Sequence, residues 1–440
     1  VFVAKMGRRL VTAFAITSPA DATEHNDELA DRLQQKFGRF LEAHQHADAP
    51  QPSILQTPGL VASLPSGAAV IEILLDPRPL VKVFLDVAGK VEEDNRESAE
   101  QSVKVVKALG LDTLGPIAYR TALDGNTMNT GMFASLPTPR TGIFTLVDQT
   151  QLAAEPPEWV AADVISYEQL SFDVAKAYRR IKSLVSDTVG PQAGAAFNLV
   201  EGQLTQTLQV SVDELLSSLG QKHIVLGFVP RTDAGADDDA GATSGRSGLV
   251  WQVKDEATWR KVLQVGATMS GQEPVEEQGF MGIRVSQPQF EGGVFLGRGF
   301  LVIGAGDSVI ESLLSMLRRP PEGDASLRGS QIYRRASEMI APEACLIYQL
   351  IDNNRNIKAA RAMVVNALEV IKTHQPDDAD DDDNLKNPLK MLNPAMVDKL
   401  LGLLPSEDEL EGAIGVGVTQ TKVNDTGVVS RSVVELPPKR

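Results

Sequence analysis

The sequence has little cysteine, few aromatic residues and no long apolar run. Only one of its 440 residues is Cys, and Phe, Trp and Tyr together make up 5%. The single thiol, Cys345, has no partner for an internal disulfide, and its apolar surroundings predict a small buried hydrophobic side chain. The longest apolar runs, such as Ala68 to Leu75, fall far short of the roughly 18 residues that a membrane helix needs. The sequence therefore predicts no transmembrane segment.

Clustered basic residues are also missing. The formal net charge is -16, and adjacent arginines occur only as isolated pairs, such as those at 179–180, 318–319 and 334–335. Proteins that bind nucleic acids in general neutralise phosphates with clustered Lys and Arg. The composition therefore predicts no nucleic-acid partner, and the acidic surface is expected to keep the chain soluble.

Motifs that carry a reaction are absent as well. There is no Gly-x-Ser-x-Gly elbow, no His-Glu-x-x-His and no P-loop lysine. His44 and His46, with Asp48 nearby, could hold a metal, but no Cys or Glu pattern supports them, and a polar linker is the favoured interpretation. We therefore predict no enzymatic activity, no catalytic residue and no cofactor.

The layout around residues 64–77 occurs three times. A Pro-containing start, an apolar strand and an aspartate recur at residues 157–173 and 342–352. The final residues of the three copies, Asp76, Asp173 and Asp352, are predicted helix N-caps and not acid catalysts. One unit of roughly 80 to 100 residues is thus expected to be used three times. The apolar run from Ala68 to Leu75 shows little alternation, which predicts a strand with much of both faces buried.

Composition and these copies predict seven segments. They are a tail of a truncated α+β unit (1–43), a linker (44–58), repeat unit one (59–155), repeat unit two (156–231), a flexible acidic loop (232–248), an intervening α+β unit (249–320), and repeat unit three with an acidic insertion at 375–386 (321–440). In the intervening unit a helix is predicted from Glu256 to a stop at Gly266. Because the chain opens on a strand-like Val1-Phe2-Val3, we expect a processed product or a fragment. Hairpins outnumber strand-helix-strand crossovers, which predicts an α+β fold of repeated layered units with mixed, largely antiparallel sheet and helices packed on it.

Two stretches of the sequence are candidate binding sites. Gly304 and Gly306, followed by Asp307, lie between a predicted strand and a predicted helix, where glycines can let a phosphate approach a helix N-terminus. A third glycine is missing, so a simple strand-to-helix turn is favoured over this cofactor-binding hypothesis.

The second place is the acidic run at residues 377–383, which includes Asp380, Asp381, Asp382 and Asp383. Its carboxylates could hold a hard cation such as calcium, as could those at 237–239. Neither run has the spacing of an EF-hand loop, and solvated charge is the favoured interpretation of both.

Several short phrases together resemble a known family. These are the repeated strand and Asp-capped helix, the stretches at residues 109–114 and 137–142, and Phe300-Leu301-Val302-Ile303-Gly304. They resemble an uncharacterised bacterial family of exported repeat-built proteins, a domain of unknown function that is abundant in planctomycete-type bacteria. The resemblance implies an extracytoplasmic location, in the periplasm, the cell envelope or the medium, and no assigned activity or catalytic residue.

The sequence therefore favours a non-enzymatic structural or binding protein of the cell envelope or of a larger assembly, with a protein partner or self-assembly. Two alternatives stay open. One is a small-molecule or nucleotide binder that uses the turn from Gly304 to Asp307. The other is a carrier of a lipid or hydrophobic ligand between sheet and helices.

Overall fold

The computed structural model describes residues 2–6, 9–13, 56–88, 96–229, 246–287, 290–306, 308–373 and 394–437. The chain divides into two compact units, Val1–Val61 and Ala62–Arg440. In the first unit, β1 (Phe2–Met6) and β2 (Arg9–Ala13) pair as an antiparallel hairpin. The described residues do not include 44–55 of the predicted linker (44–58) or 232–245 of the predicted loop (232–248). The predicted acidic insertion at 375–386 lies wholly outside them.

The described residues of the second unit form one sheet of 13 strands, and every neighbouring pair in it is antiparallel. The strands are β3 (Ala68–Leu75), β4 (Ile117–Asp124), β5 (Thr127–Ser135), β6 (Ser166–Ser171), β7 (Leu219–Phe228), β8 (Arg246–Val253), β9 (Val275–Glu277), β10 (Phe280–Gln287), β11 (Phe290–Gly297), β12 (Phe300–Ala305), β13 (Ile347–Asp352), β14 (Val416–Asn424) and β15 (Gly427–Glu435). The predicted mixture of helices with a largely antiparallel sheet is confirmed.

The described residues also form 12 α-helices. They are α1 (Leu60–Ser63), α2 (Arg78–Ala88), α3 (Arg96–Ala108), α4 (Val174–Val189), α5 (Pro191–Leu208), α6 (Val212–Ser217), α7 (Glu256–Ser270), α8 (Val309–Arg318), α9 (Gln331–Met339), α10 (Asn353–Thr373), α11 (Pro394–Leu403) and α12 (Glu407–Leu410). Short 3₁₀ helices occur at Leu111–Thr113, Gly142–Val147 and Gly323–Ala325.

Among the described residues, three parts of the chain have the same order of elements: a strand, two helices, a short helical turn and two more strands. We call them the first segment (residues 68–135), the second segment (166–253) and the third segment (347–435). Their strands are β3, β4 and β5, then β6, β7 and β8, and then β13, β14 and β15. In each segment the first strand pairs with the second, and the second pairs with the third.

The segments join edge to edge in the sheet. The strand order is β3-β4-β5-β15-β14-β13-β6-β7-β8-β12-β11-β10-β9. The last strands of the first and third segments therefore pair with each other (β5 with β15), and so do the first strands of the third and second segments (β13 with β6). The ends of the sheet are β3 on one side and β9 on the other.

The main core lies on one face of this sheet. Side chains of β6, β7, β8, β12, β13 and β14 pack there with α8 and α9, and Trp159 lies against the same cluster. A smaller core lies under α7, where Trp251 and Trp259 pack against Leu263 and Leu301. All three tryptophans are thus partly buried against a core.

Two expectations about local structure are wrong. Helix α7 does not stop at Gly266 but continues to Gly271, whose φ of 66° is the left-handed conformation that ends a helix. Strand β3 exists as predicted, but it is not buried on both faces. Among the described residues it occupies an edge of the sheet with a neighbour on one side alone, and most of its side chains are exposed.

Candidate interaction surface

Each of the three helix pairs follows an aspartate at the end of a first strand. Carboxylate oxygens accept hydrogen bonds from backbone N–H groups of the first helical turn in the pairs Asp76 with Arg78 (3.1 Å), Asp173 with Lys176 (2.8 Å) and Asp352 with Arg355 (3.0 Å). These bonds satisfy N–H groups that the helix itself leaves without partners. The predicted N-cap position is confirmed for Asp173 and Asp352, whereas Asp76 caps α2 from one position before its N-cap, since α2 begins at Arg78.

The electrostatics of two of these caps fit their role. The side chain of Arg78 donates to Asp76 and lowers the pKa of that carboxyl group. Burial alone would raise the pKa of Asp173, but hydrogen bonds from Lys176 and Gln221 outweigh it, and the pKa is lowered. A carboxylate that stays ionised can accept backbone hydrogen bonds, whereas a general acid must keep its proton near neutral pH.

The second helix pair is joined by a charged cluster. Glu201 on α5 accepts a hydrogen bond from the Tyr178 hydroxyl at 2.7 Å and pairs with Lys182 at 2.6 Å, both on α4. Lys182 and then Tyr178 lower the pKa of Glu201, while burial together with Glu201 raises the pKa of Tyr178 to about 12. The polar sides of the two helices are thus turned toward each other.

The third helix pair is joined in a similar way. Lys372 on α10 pairs with Asp398 on α11 at 2.5 Å, and Arg361 on α10 donates to the Pro405 carbonyl at 2.5 Å. Between the first and second pairs, Gln101 on α3 donates to the carbonyl of Thr188 on α4 at 2.7 Å. Polar contacts therefore join α4 to α5, α10 to α11 and α3 to α4.

Apolar side chains of the same helix pairs remain exposed. They form three groups at helical spacing, which we call the apolar stripes: Leu80, Val83 and Phe84 on α2; Leu199, Val200 and Leu204 on α5; and Met396, Leu400 and Leu403 on α11. Their exposed fractions run from 38% to 77%. Sequence reasoning missed these stripes because an amphipathic pattern does not say which helices find a partner within the chain.

The glycine turn predicted to bind a cofactor is a strand-to-helix connection. Gly304 lies in β12, and a side chain there would meet Ile310 at 2.6 Å. The N–H groups of Gly306 and Val309 already donate to the carbonyls of Glu291 and Gly306, at 2.8 Å and 3.3 Å. A phosphate would need such N–H groups for itself. Asp307 lies outside the described residues, and the hypothesis of nucleotide binding here stays a prediction.

The metal hypotheses concern residues that the structure does not describe. Asp380, Asp381, Asp382 and Asp383 lie outside the described ranges, as do His44, His46 and residues 237–239. Within the described ranges, no group of three or more His, Cys, Asp or Glu side chains is placed to hold a metal ion.

One charged cluster was not foreseen from the sequence. Arg284 on β10 pairs with Glu277 (2.7 Å), Glu291 (3.1 Å) and Glu311 (2.6 Å), which lie on β9, β11 and α8. The hydrogen bonds that Arg284 donates to Glu277, and its contact with Glu311, raise the pKa of Arg284 against the effect of burial. The cluster ties the far end of the sheet to α8, which is a structural role.

Buried tyrosines surround the single cysteine at the centre of the sheet. Tyr167 and Tyr348 are fully buried, and their rings meet edge to face with centroids 6.3 Å apart. Cys345 is buried beside them, and burial raises the pKa of its thiol to about 11. The prediction of a small buried hydrophobic residue at Cys345 is confirmed, and such a thiol makes a poor nucleophile at neutral pH.

A depression between β6 and β13 is small. It holds about 160 Å³ of open space and is lined by Tyr167, Leu327, Leu350 and Asp352 among others. Sites for small organic ligands usually enclose roughly 300 Å³ or more. This depression does not support the hypothesis of a lipid carrier, which stays a prediction.

No helix in the described ranges is both long enough and apolar enough to cross a membrane.

No family model, no curated protein and no solved structure matches this chain. The resemblance to exported repeat-built proteins therefore stays a prediction, and the candidate surface rests on the geometry above.

Proposed function

We propose that this chain is a non-enzymatic structural or binding protein of the cell envelope or of a larger assembly, and that it contacts a protein partner through the apolar stripes. The observation that carries this proposal is the exposure of nine apolar side chains in three stripes on α2, α5 and α11, of which α5 and α11 are joined to neighbouring helices by ion pairs. Contiguous exposed apolar surface rimmed by polar residues is typical of protein interaction sites.

We also propose that the three segments are repeats of one unit. Their common order of elements, their equivalent strand pairings and the equivalent caps at Asp76, Asp173 and Asp352 support this interpretation. Three units would present similar helix pairs, and so similar surfaces, at several points along one sheet. Such repetition suits a protein that holds partners more than one that forms a single reaction centre.

The roles of the perturbed ionisable groups support a non-enzymatic assignment. The lowered pKa values of Asp76 and Asp173 belong to helix caps, and that of Glu201 belongs to the junction of α4 and α5. Perturbed groups often mark reaction centres, but structural ion pairs shift pKa values as well. Location in the envelope follows from the resemblance, and separation of the source cells into soluble and envelope fractions tests it.

Recovery of the protein from its source with its bound neighbours tests the proposed surface. The double variant Val200→Glu/Leu204→Glu places two charges in the stripe of α5. The matched control Asn198→Glu/Gln206→Glu adds the same charge at exposed polar positions of the same helix, to one side of the stripe. We expect a stoichiometric partner with the unchanged protein and the control, and its loss with the stripe variant. Equal recovery with all three proteins, or turnover of a substrate by the purified chain, would contradict the proposal.

A further inference from the structure

The two edges of the 13-stranded sheet differ in a way that bears on partners. One edge is β9, which has three residues, two of them glutamates. The other is β3, which has eight residues with the sequence AAVIEILL. Sheets avoid unwanted pairing by making edge strands short or charged, because an edge strand presents unpaired N–H and C=O groups. Strand β9 has this protection, and β3 lacks it.

The side chains of β3 are those of a buried strand in an exposed position. Exposed fractions lie between 47% and 59% for Val70, Ile71, Ile73 and Leu75 on β3 and for Val61 on α1. Continuous apolar runs of β-branched and leucine residues are typical of strands covered on both faces. The other first strands, β6 and β13, have neighbours on both sides, and Tyr167 and Tyr348 within them are fully buried.

The chain itself shows how two first strands pair. Strands β13 and β6 form an antiparallel ladder of five residue pairs in which Tyr348 lies opposite Gln169. Each of these two residues stands four positions before its capping aspartate, Asp352 or Asp173. The ladder is therefore symmetric with respect to the two segments. A strand that pairs in this way with another first strand can pair equally with a second copy of itself.

We propose that β3 pairs antiparallel with β3 of a second copy, so that two 13-stranded sheets join edge to edge about a two-fold axis. The residue four positions before Asp76 is Glu72, and the symmetric register places Glu72 opposite Glu72 of the second copy. Ile71 then lies opposite Ile73 of the second copy. These central pairs fall in the regular part of β3, after the bulge between Ala69 and Ile71.

Charge is compatible with this register. Two glutamates directly opposite each other repel, but Glu72 lies 3.7 Å from the Arg120 guanidinium on the neighbouring strand β4. The row across the joined sheets then reads Arg120, Glu72, Glu72 and Arg120, which is neutral in sum. The isoleucines on the opposite face supply apolar contacts on both sides of the two-fold axis. This surface is distinct from the stripe on α5, so the inference does not depend on the proposed function.

Measurement of the mass of the full-length chain in solution tests the pairing. We expect a dimer of the 47.3 kDa chain, and a dissociation constant raised about tenfold or more by Ile73→Lys, because the two-fold axis doubles the effect of each lysine. The matched control Met269→Lys changes an exposed apolar side chain on α7, outside the apolar stripes, and should leave the dimer unchanged. The proposal would be overturned if the protein stayed monomeric at concentrations up to about 100 μM. A dimer whose dissociation constant is unchanged by Ile73→Lys would overturn it as well.

A cysteine variant tests the register and does not depend on how well Ile73→Lys folds. Residues directly opposite in an antiparallel pair have Cα atoms roughly 4.5 to 5.5 Å apart, within the range of a disulfide. Glu72→Cys should therefore form a disulfide-linked dimer under mild oxidation, since the native Cys345 is buried. Ile71→Cys alone should not, whereas a mixture of Ile71→Cys and Ile73→Cys should. A dimer in which Glu72→Cys does not cross-link would show that another surface, or another register, joins the copies.

Discussion

Two buried tyrosines offer a direct test of hydrogen bonding in the core. Tyr167 and Tyr348 are both fully buried on the same face of the sheet, in contact with each other. The Tyr167 hydroxyl donates to Gln169 Oε1 at 3.0 Å, and Gln169 in turn donates to the Ala153 carbonyl at 2.8 Å. The Tyr348 hydroxyl has no hydrogen-bond partner among the described residues. Removing each hydroxyl by substitution with Phe therefore changes nearly the same volume in two different hydrogen-bonding situations.

The expected changes in the free energy of unfolding have opposite signs. Tyr167→Phe leaves the buried Gln169 oxygen without its donor, which should destabilise the fold by roughly 1 to 2 kcal/mol. Tyr348→Phe removes a buried polar group that has no partner, which should stabilise the fold by up to about 1 to 2 kcal/mol, because that group no longer has to be desolvated. The ring contacts are kept in both variants, so packing should contribute little to the difference.

Urea unfolding followed by tryptophan fluorescence provides the assay, since Trp159 packs against the same core. We expect the midpoint to move down for Tyr167→Phe and up for Tyr348→Phe, with an unchanged dependence on urea concentration. Loss of stability in Tyr348→Phe equal to that in Tyr167→Phe would refute the reasoning. It would mean that the Tyr348 hydroxyl is satisfied by a group such as a buried water.

Three further predictions follow from single residues. Burial lowers the pKa of His223, so the unfolded state binds its proton more readily. The stability that this residue contributes should be fully present above its unfolded pKa of about 6.5 and be lost as the pH falls below that value through the lowered pKa of the folded state. The loss of stability between about pH 7 and 5 should therefore be smaller in His223→Gln. Gly142→Ala should destabilise the fold by roughly 2 to 4 kcal/mol, because φ is 59° there and a side chain would lie 2.1 Å from the Leu109 backbone. In the same urea assay, the control Gly202→Ala on α5, where a side chain would meet no atom, should stabilise the fold by about 0.5 to 1 kcal/mol. Cys345 should resist thiol reagents in the native protein and react rapidly in urea, since burial raises its pKa to about 11.

Local elements could be predicted from short stretches of sequence. The helix caps at Asp76, Asp173 and Asp352, the hairpin turn at Gly125 and the buried Cys345 all depend on interactions with nearby residues or on side-chain type. The same kind of reasoning failed at Gly266, because a glycine can lie inside a helix as well as end one. Only a left-handed backbone, as at Gly271, decides between the two.

The candidate surface could not be predicted in the same way. Exposed stripes on α2, α5 and α11 have the same apolar spacing as stripes that pack in a core, so the sequence alone does not separate them. The cluster at Arg284 joins side chains from four elements, with Glu311 separated by 27 positions along the chain. Contacts of this kind depend on which strands become neighbours.

The sequence by itself determined the type and order of the elements, because helix caps, turns and apolar periodicity act over a few residues. It did not determine that β13 pairs with β6 or that β3 ends the sheet, since every apolar strand offers similar hydrogen bonds to any neighbour. The tertiary structure made that choice through pairings between residues far apart in the chain. It left the most apolar strand of the first segment at an open edge, where the sequence had predicted a buried one.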